Sequence, residues 1–309
     1  MEGEIVYSLK KNFRKLVRTA IKCKENERIA DAIDRHKTKI LRFIYPGKIK
    51  DEDIKKELLK MGIKNGDIIM VHSSWRKFFN YEGNPKSLIK LLIEIIGTEG
   101  TLLMPCFGTD KRYFDVNKTP SYAGVLSEEF RKMPGVLRSE CSHFSVCGYG
   151  KQAKKLLEKH ALSCFGFDYN SPYYIFSQME GAKIIKFGMG KYPIKLTLIH
   201  CIEYVYKDKF PYFRDYLTLN YEATVIDNEG NKTKRQMIEG IGGKLYHKNI
   251  KKVYKNIPSN LFHYSRISNI DICVFDAKAG YNEIVKLVES GKSMLKPPKV
   301  TKESFIPLK

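Results

Sequence analysis

The sequence predicts an α/β fold built on a mainly parallel mixed sheet. Three observations carry this expectation. From Asp51 onward, short apolar runs alternate with helical patterns, the connections between them are short, and the runs themselves read as buried strands. The order is as follows. Ile54 to Met61 has helical spacing and stops at Gly62, and Asp67 to Val71 is a strand rich in Ile, Met and Val. Ser87 to Ile96 is a helix closed by Gly97, followed by a strand from Thr101 to Met104 and a helix from Val125 to Lys132. A short strand at Phe144 to Cys147 precedes a helix from Lys151 to Lys159. A strand at Lys183 to Phe187 then leads to a helix from about Leu196 to Tyr206. Leu217 to Ile226 and Lys232 to Ile238 flank Asp227-Asn228-Glu229-Gly230-Asn231, a β-hairpin around a turn-forming loop. Ile270 to Phe275 and Ala277 to Val288 return to strand and helix, and the Pro- and Lys-rich tail from Lys296 reads as irregular.

Residues 1–50 differ from the rest. Ile5, Val6, Leu9, Phe13, Leu16, Val17, Ala20 and Ile21 recur at helical spacing among Lys10, Lys11, Arg14, Lys15, Arg18 and Lys22. This is a basic amphipathic helix, suited to an anionic membrane surface. Packing of its apolar stripe on the main domain or on a second subunit satisfies the same pattern. A second helix spans about Arg28 to Phe43, and Pro46-Gly47 breaks the chain. The organisation expected is a helical extension over residues 1–50 and one domain over 51–309.

The composition limits the function classes. The chain has 309 residues, 43% of them apolar, enough for a substantial core. No run is long and apolar enough for a membrane span, and the N-terminus lacks a signal-peptide pattern, so a cytoplasmic protein is expected. Seven scattered cysteines with no Cys-x-x-Cys read as reduced thiols rather than a disulfide or zinc framework, and no metal is expected. The net charge of +21 implies anionic partners, although a Lys-rich proteome would give the same imbalance. The charge is spread along the chain, which argues against a dedicated nucleic-acid arm.

Of seven histidines, His200 has the most suggestive context. In Thr197-Leu198-Ile199-His200-Cys201-Ile202-Glu203 a helix would place Thr197, His200 and Glu203 on one face. A carboxylate there can hold one ring nitrogen and leave the other to accept a proton. A surface ion pair would use the same spacing. The segment follows Gly188-Met189-Gly190 after a predicted strand, where ligands collect in open α/β sheets. His72-Ser73-Ser74 ends another strand and could hold a phosphate or carbonyl, or simply cap a turn. Arg138-Ser139-Glu140-Cys141-Ser142-His143-Phe144-Ser145 is dense in polar groups, and a Cys141–His143 nucleophilic pair is conceivable there. No phosphate-binding Gly-rich loop and no His-Glu-x-x-His helix occurs.

Taken in order, these segments resemble the aminoglycoside 3-N-acetyltransferase family. The resemblance is carried by Gly66-Asp67 through Val71-His72-Ser73-Ser74, Gly97 through Pro105, Ala123-Gly124, Phe130-Arg131 and Pro134-Gly135-Val136. It continues through Arg138-Ser139 to Ser145-Val146 and Gly150, then Phe165-Gly166 with Ser171-Pro172, and finally Gly188 through Thr197-x-x-His200-x-x-Glu203. It covers about residues 51 to 290. It implies a three-layer α/β/α fold and direct acetyl transfer from acetyl-CoA to an amine. In that reading His200 is the base and Glu203 its orienting partner. His72, Ser73, Ser74 and Ser145 would lie around the thioester and pantetheine, and Cys141, His143 and Thr197 on the acceptor side. Family members typically carry His-Pro where this chain has Cys141-Ser142, so the acceptor side departs from the pattern.

Aminoglycosides are polycations and need an acidic pocket, for which a chain at +21 is a poor host. The charge points instead to an anionic amino-sugar acceptor, best a nucleotide-linked one used for surface polysaccharide. A peripheral membrane contact and a homodimer both suit the N-terminal stripe. Two other readings remain: transfer of a different acyl group or amide formation on the same fold, and a non-enzymatic polyanion- or nucleic-acid-binding protein. No nucleic-acid-binding signature accompanies the aromatic residues, so no nucleic-acid partner is expected.

Overall fold

The computed structural model describes residues 12–13, 15–25, 27, 29–190, 197–209, 213–214, 217, 219–240 and 255–290. In chain order the elements are α1 (Ile29–Ile44), α2 (Asp51–Lys60), β1 (Ile68–Ser73), α3 (Pro85–Ile96), β2 (Thr101–Pro105), β3 (Tyr113–Asp115), α4 (Val125–Arg131), β4 (Leu137–Arg138) and β5 (Val146–Gly150). There follow α5 (Ala153–Leu157), α6 (Pro172–Ser177), β6 (Lys183–Phe187), α7 (Leu198–Val205), β7 (Leu219–Ile226), β8 (Lys232–Glu239), β9 (His263–Ile267), β10 (Ile270–Asp276) and α8 (Ala277–Glu289).

Seven strands form one sheet in the order β4-β5-β2-β1-β6-β10-β9. The central strands β2, β1 and β6 are parallel, with Met70 opposite both Leu103 and Ile184. The flanking strands run antiparallel: β5 on β2, β4 on β5, β10 on β6, and β9 on β10. The parallel character is thus concentrated at the middle, where β1 is buried on both faces.

Side chains alternate across a strand, and here each face feeds its own core. Ile68 and Met70 join Leu103, Ile184, Cys273 and Phe275 beneath α5, α6, α7 and α8. Ile69 and Val71 join Leu102, Met104, Ile185 and Phe187 beneath α2, α3 and α4. The result is the three-layer α/β/α arrangement that the family resemblance implies.

Several helices begin by one chemical device. Asn84 accepts from Lys86 N at 3.0 Å and Ser87 N at 3.1 Å, and Pro85 opens α3. Ser171 caps α6 before Pro172, and Asp276 accepts from Ala279 N at 2.8 Å to start α8. The predicted hairpin is present as β7 and β8, and β3 adds to it in parallel, making a separate three-stranded sheet. Beta5 lies later than the expected Phe144 to Cys147, because pairing with β2 begins only at Pro105↔Val146.

Residues 15–20 are helical and fold back on α1; Ile5, Val6 and Leu9 of the predicted amphipathic stripe lie outside the described residues. Arg18 donates to Glu27 O at 2.6 Å, Arg35 pairs with Glu27 at 3.0 Å, and His36 Nε2 donates to Ile21 O at 2.7 Å. Arg76 anchors α1 to the main body through Asp31 at 2.6 Å and Asp34 at 2.7 Å. Ile49 is fully buried in the core beneath α2 and α3. Among the described residues no helix is long and apolar enough to cross a membrane.

Candidate active site

Because β1 and β6 are parallel neighbours, their carboxyl ends meet at one rim of the sheet, at Ser73 and Phe187. Helix α7 packs on the same face as Ile68 and Met70. Leu198, Ile199, Cys201 and Ile202 are buried and fix the helix. His200 donates Nδ1–H to Glu203 Oε2 at 2.9 Å. The carboxylate side chain is 2% exposed and the imidazole 25%, so the charge is held inside and the ring faces outward. The Phe167 ring lies 4.8 Å from that of His200 and tilted by 36°, walling one side. The carboxylate at Nδ1 fixes the tautomer with its proton on that nitrogen.

The end of β1 adds polar groups to this rim. His72 follows Ile68 and Met70 in the strand alternation and therefore faces the α7 layer. It is buried, and its Nε2 has no hydrogen-bond partner. Burial, with repulsion from Lys186 opposite it in register, lowers its pKa to about 3. Thr197, at the start of α7, is likewise buried with its hydroxyl unpartnered. Buried polar atoms nearly always find partners, and the described residues supply none to either group. Ser73 and Ser74 are half-buried. Ser74 N–H is already committed to Phe187 O at 2.9 Å, which removes it as a donor to a developing oxyanion. Gly188 explains how the strand exits so close by. It adopts φ +66°, and a Cβ there would lie 2.6 Å from Lys77 Cβ and 3.1 Å from Ser74 O.

The segment 138–145 plays a mostly internal part. Arg138 is buried, donates to Cys106 O at 2.7 Å and to Ser145 Oγ at 3.1 Å, and lies 4.6 Å over the Phe114 ring. Ser145 is fully buried and donates to Cys106 O. Its side chain braces the end of β2. Ser139 donates to His160 Nδ1 at 2.8 Å and accepts from Val146 N at 2.8 Å, while His160 Nε2 donates to Gly166 O at 3.2 Å.

Cys141 packs with Tyr221, Ala223 and Met237, and burial pushes its thiol up to about 11. A thiol held so firmly protonated is not an activated nucleophile, so the Cys141–His143 pairing is set aside. His143 stacks on Phe144 at 3.9 Å, and its Nδ1 lies 3.8 Å from Glu239, which is also paired with Lys111. Burial lowers the His143 pKa.

Ring contacts connect the two histidines: His143 to Phe144, Phe144 to Phe167 at 4.4 Å, and Phe167 to His200. Phe107 and Tyr122 extend this wall on the His143 side. Gly166 permits it, since a Cβ there would lie 2.6 Å from the Phe144 ring. The sequence pattern alone did not single out Phe167, Phe107, Tyr122, Lys111 or Glu239. Lys111 and Glu239 lie 128 residues apart, and only the density of aromatics around Gly166 offered a signal. Among the described residues no cluster of three or more His, Cys, Asp or Glu could hold a metal ion.

The family model described as aminoglycoside 3-N-acetyltransferase matches residues 70–289, more than half of the chain. The chain belongs to the aminoglycoside 3-N-acetyltransferase family. A relative is aminoglycoside N(3)-acetyltransferase IV of Salmonella, 36% identical over 104 residues, covering 33% of this chain and 40% of that protein. The chain spans about half the length of the curated relatives it matches. The crystal structure of aminoglycoside acetyltransferase AAC(3)-Xa has the same fold, with a TM-score of 0.70 at 19% identity over 85% of this chain and 99% of that one. AAC-IIIb, solved as a binary complex with CoASH, aligns with a TM-score of 0.68 at 21% identity over 81% of this chain and all of that one, 100%. Aminoglycoside 3-N-acetyltransferase family membership therefore rests on sequence, and the three-layer fold on structure.

Proposed function

We propose that this chain transfers an acetyl group from acetyl-CoA to the amine of an amino sugar, with His200 as the base. The observation that carries the proposal is the partly exposed His200 ring held at Nδ1 by the buried Glu203 carboxylate. In the reaction the acceptor nitrogen attacks the thioester carbon and gives its proton to His200 Nε2. The C–S bond then breaks, the thiolate sulfur takes the proton back, and N-acetylated product and free CoA leave. Glu203 supports the transient imidazolium. Family membership and the neighbour solved with CoASH support CoA as the donor. His72 Nε2 is a buried group suited to meet its amides or the thioester oxygen, and the buried Thr197 hydroxyl is suited to the acceptor. Residues 51–309 would form the transferase, and residues 1–50 an extension that the match at 70–289 leaves out.

The acceptor we infer is anionic, of the nucleotide-linked amino-sugar class used for surface polysaccharide. Three observations support it. The chain carries +21, and Glu239, the carboxylate beside His143, is already neutralised by Lys111. Cys141 and Ser142 are buried in packing where the family pattern has His-Pro. Thiol release from acetyl-CoA, followed with a nucleotide-linked amino sugar and with a kanamycin-type aminoglycoside, tests this. Faster turnover of the nucleotide-linked sugar is expected; faster turnover of the aminoglycoside overturns the acceptor assignment, and turnover of neither overturns the acetyltransferase reading.

A further inference from the structure

The N-terminal helical hairpin leaves large apolar side chains in solvent. On α1, Ile33, Ile40 and Ile44 follow one another at spacings of seven and four residues and so share a stripe, with Phe43 beside it. Ile40 is 62% exposed, Phe43 89% and Ile44 57%. On the preceding helical residues Phe13 and Leu16 are 69% and 70% exposed, three residues apart.

The charges of the hairpin are sorted. Three of its acids are turned to internal partners, Glu27 to Arg35, and Asp31 and Asp34 to Arg76 on the main body, while Glu25 at the turn is exposed. Its lysines are not turned inward. Lys15, Lys37 and Lys39 are exposed around the apolar stripe, and Lys37 lies on it between Ile33 and Ile40. Isolated surface apolar residues need no explanation, but a ridge of them fringed by lysines whose neighbouring acids point the other way has the chemistry of an interfacial helix. The apolar side chains enter the headgroup boundary and the ammonium groups snorkel to lipid phosphates.

We propose that this hairpin docks the protein on an anionic lipid surface, with Ile40, Phe43 and Ile44 inserted and Lys37 and Lys39 on the headgroups. A second copy of the chain would cover the apolar ridge equally well but would set the same lysines against one another. The charge pattern therefore favours lipid.

Flotation of the full chain with vesicles of phosphatidylcholine alone, or of phosphatidylcholine with phosphatidylglycerol, tests the proposal. Binding is expected only with the anionic lipid, falling several-fold between about 0.1 M and about 0.5 M salt. Ile40→Ser with Phe43→Ser should weaken it at least about tenfold, and Lys37→Glu with Lys39→Glu should weaken it at low salt. These positions are exposed, and unchanged circular dichroism confirms that the variants fold. Equal binding to neutral and anionic vesicles, or binding to neither, overturns the proposal. So does a dimer in analytical ultracentrifugation that dissociates on Phe43→Ser, because the second copy would then be the occupant.

Discussion

Glu203 holds a buried carboxylate against the His200 imidazole, the arrangement that the proposed base needs. His200→Ala is therefore expected to lower kcat by about 1000-fold while leaving acetyl-CoA affinity, read by calorimetry, within about threefold of the native chain. Glu203→Gln removes the charge but keeps the shape. It should lower kcat by about 100-fold with little change in KM, whereas a merely structural loss would lower the folded fraction and leave the kcat of the remainder intact. These residues were legible in the sequence because three-residue spacing on a helix is itself geometry. Lys111 and Glu239 were not, because a contact across 128 residues leaves no local trace. Ser145 was legible only in part: its place in a family motif says that the position matters, not which way its side chain points. Here it braces Cys106 and Arg138.

At the scale of elements, local chemistry decided most of what could be foreseen. Lys183 to Phe187 is a strand with the bounds its pattern predicts, and α3 starts at Pro85 where Asn84 and Ser87 cap each other reciprocally. Asn84→Ala should cost about 1 kcal/mol of stability, measured by urea unfolding, because two N–H groups lose their acceptor. Beta3 and β4, of three and two residues, carry no readable period and exist because a neighbour pairs them: β7 for the first, β5 for the second. Which strands of the mixed sheet run antiparallel escaped prediction for the same reason. Alternating strand and helix reports the connections, and it is the pairing partner that sets direction. Helix α6 was missed although Ser171-Pro172 marks its start, since six residues are too few for a helical period to show.

At the scale of the whole molecule, His72 and His160 are buried, which disfavours their charged forms. Burial holds both His72 and His160 at about 3, against an ordinary value near 6.5. Below 6.5 the unfolded chain takes up protons that the folded chain refuses. Their contribution to stability is therefore complete above 6.5 and is lost progressively as the pH falls towards 3. Removing His160 with His160→Gln should flatten the dependence of unfolding free energy on pH in that window by about 1.4 kcal/mol per pH unit, measured from urea midpoints at several pH values; an unchanged slope would place that proton elsewhere. The sheet has a consequence in time as well. Its middle strand, β1, pairs on one side with β2 soon after it in the chain, but on the other side with β6, where Ile69 meets Lys183. A nascent chain must hold the second edge of β1 open until the ribosome has delivered Lys183–Phe187. Folding is then paced by a long loop closure and should run slowly for a protein of this size. A chain stalled before β6 would offer an apolar, hydrogen-bond-hungry strand edge to its neighbours.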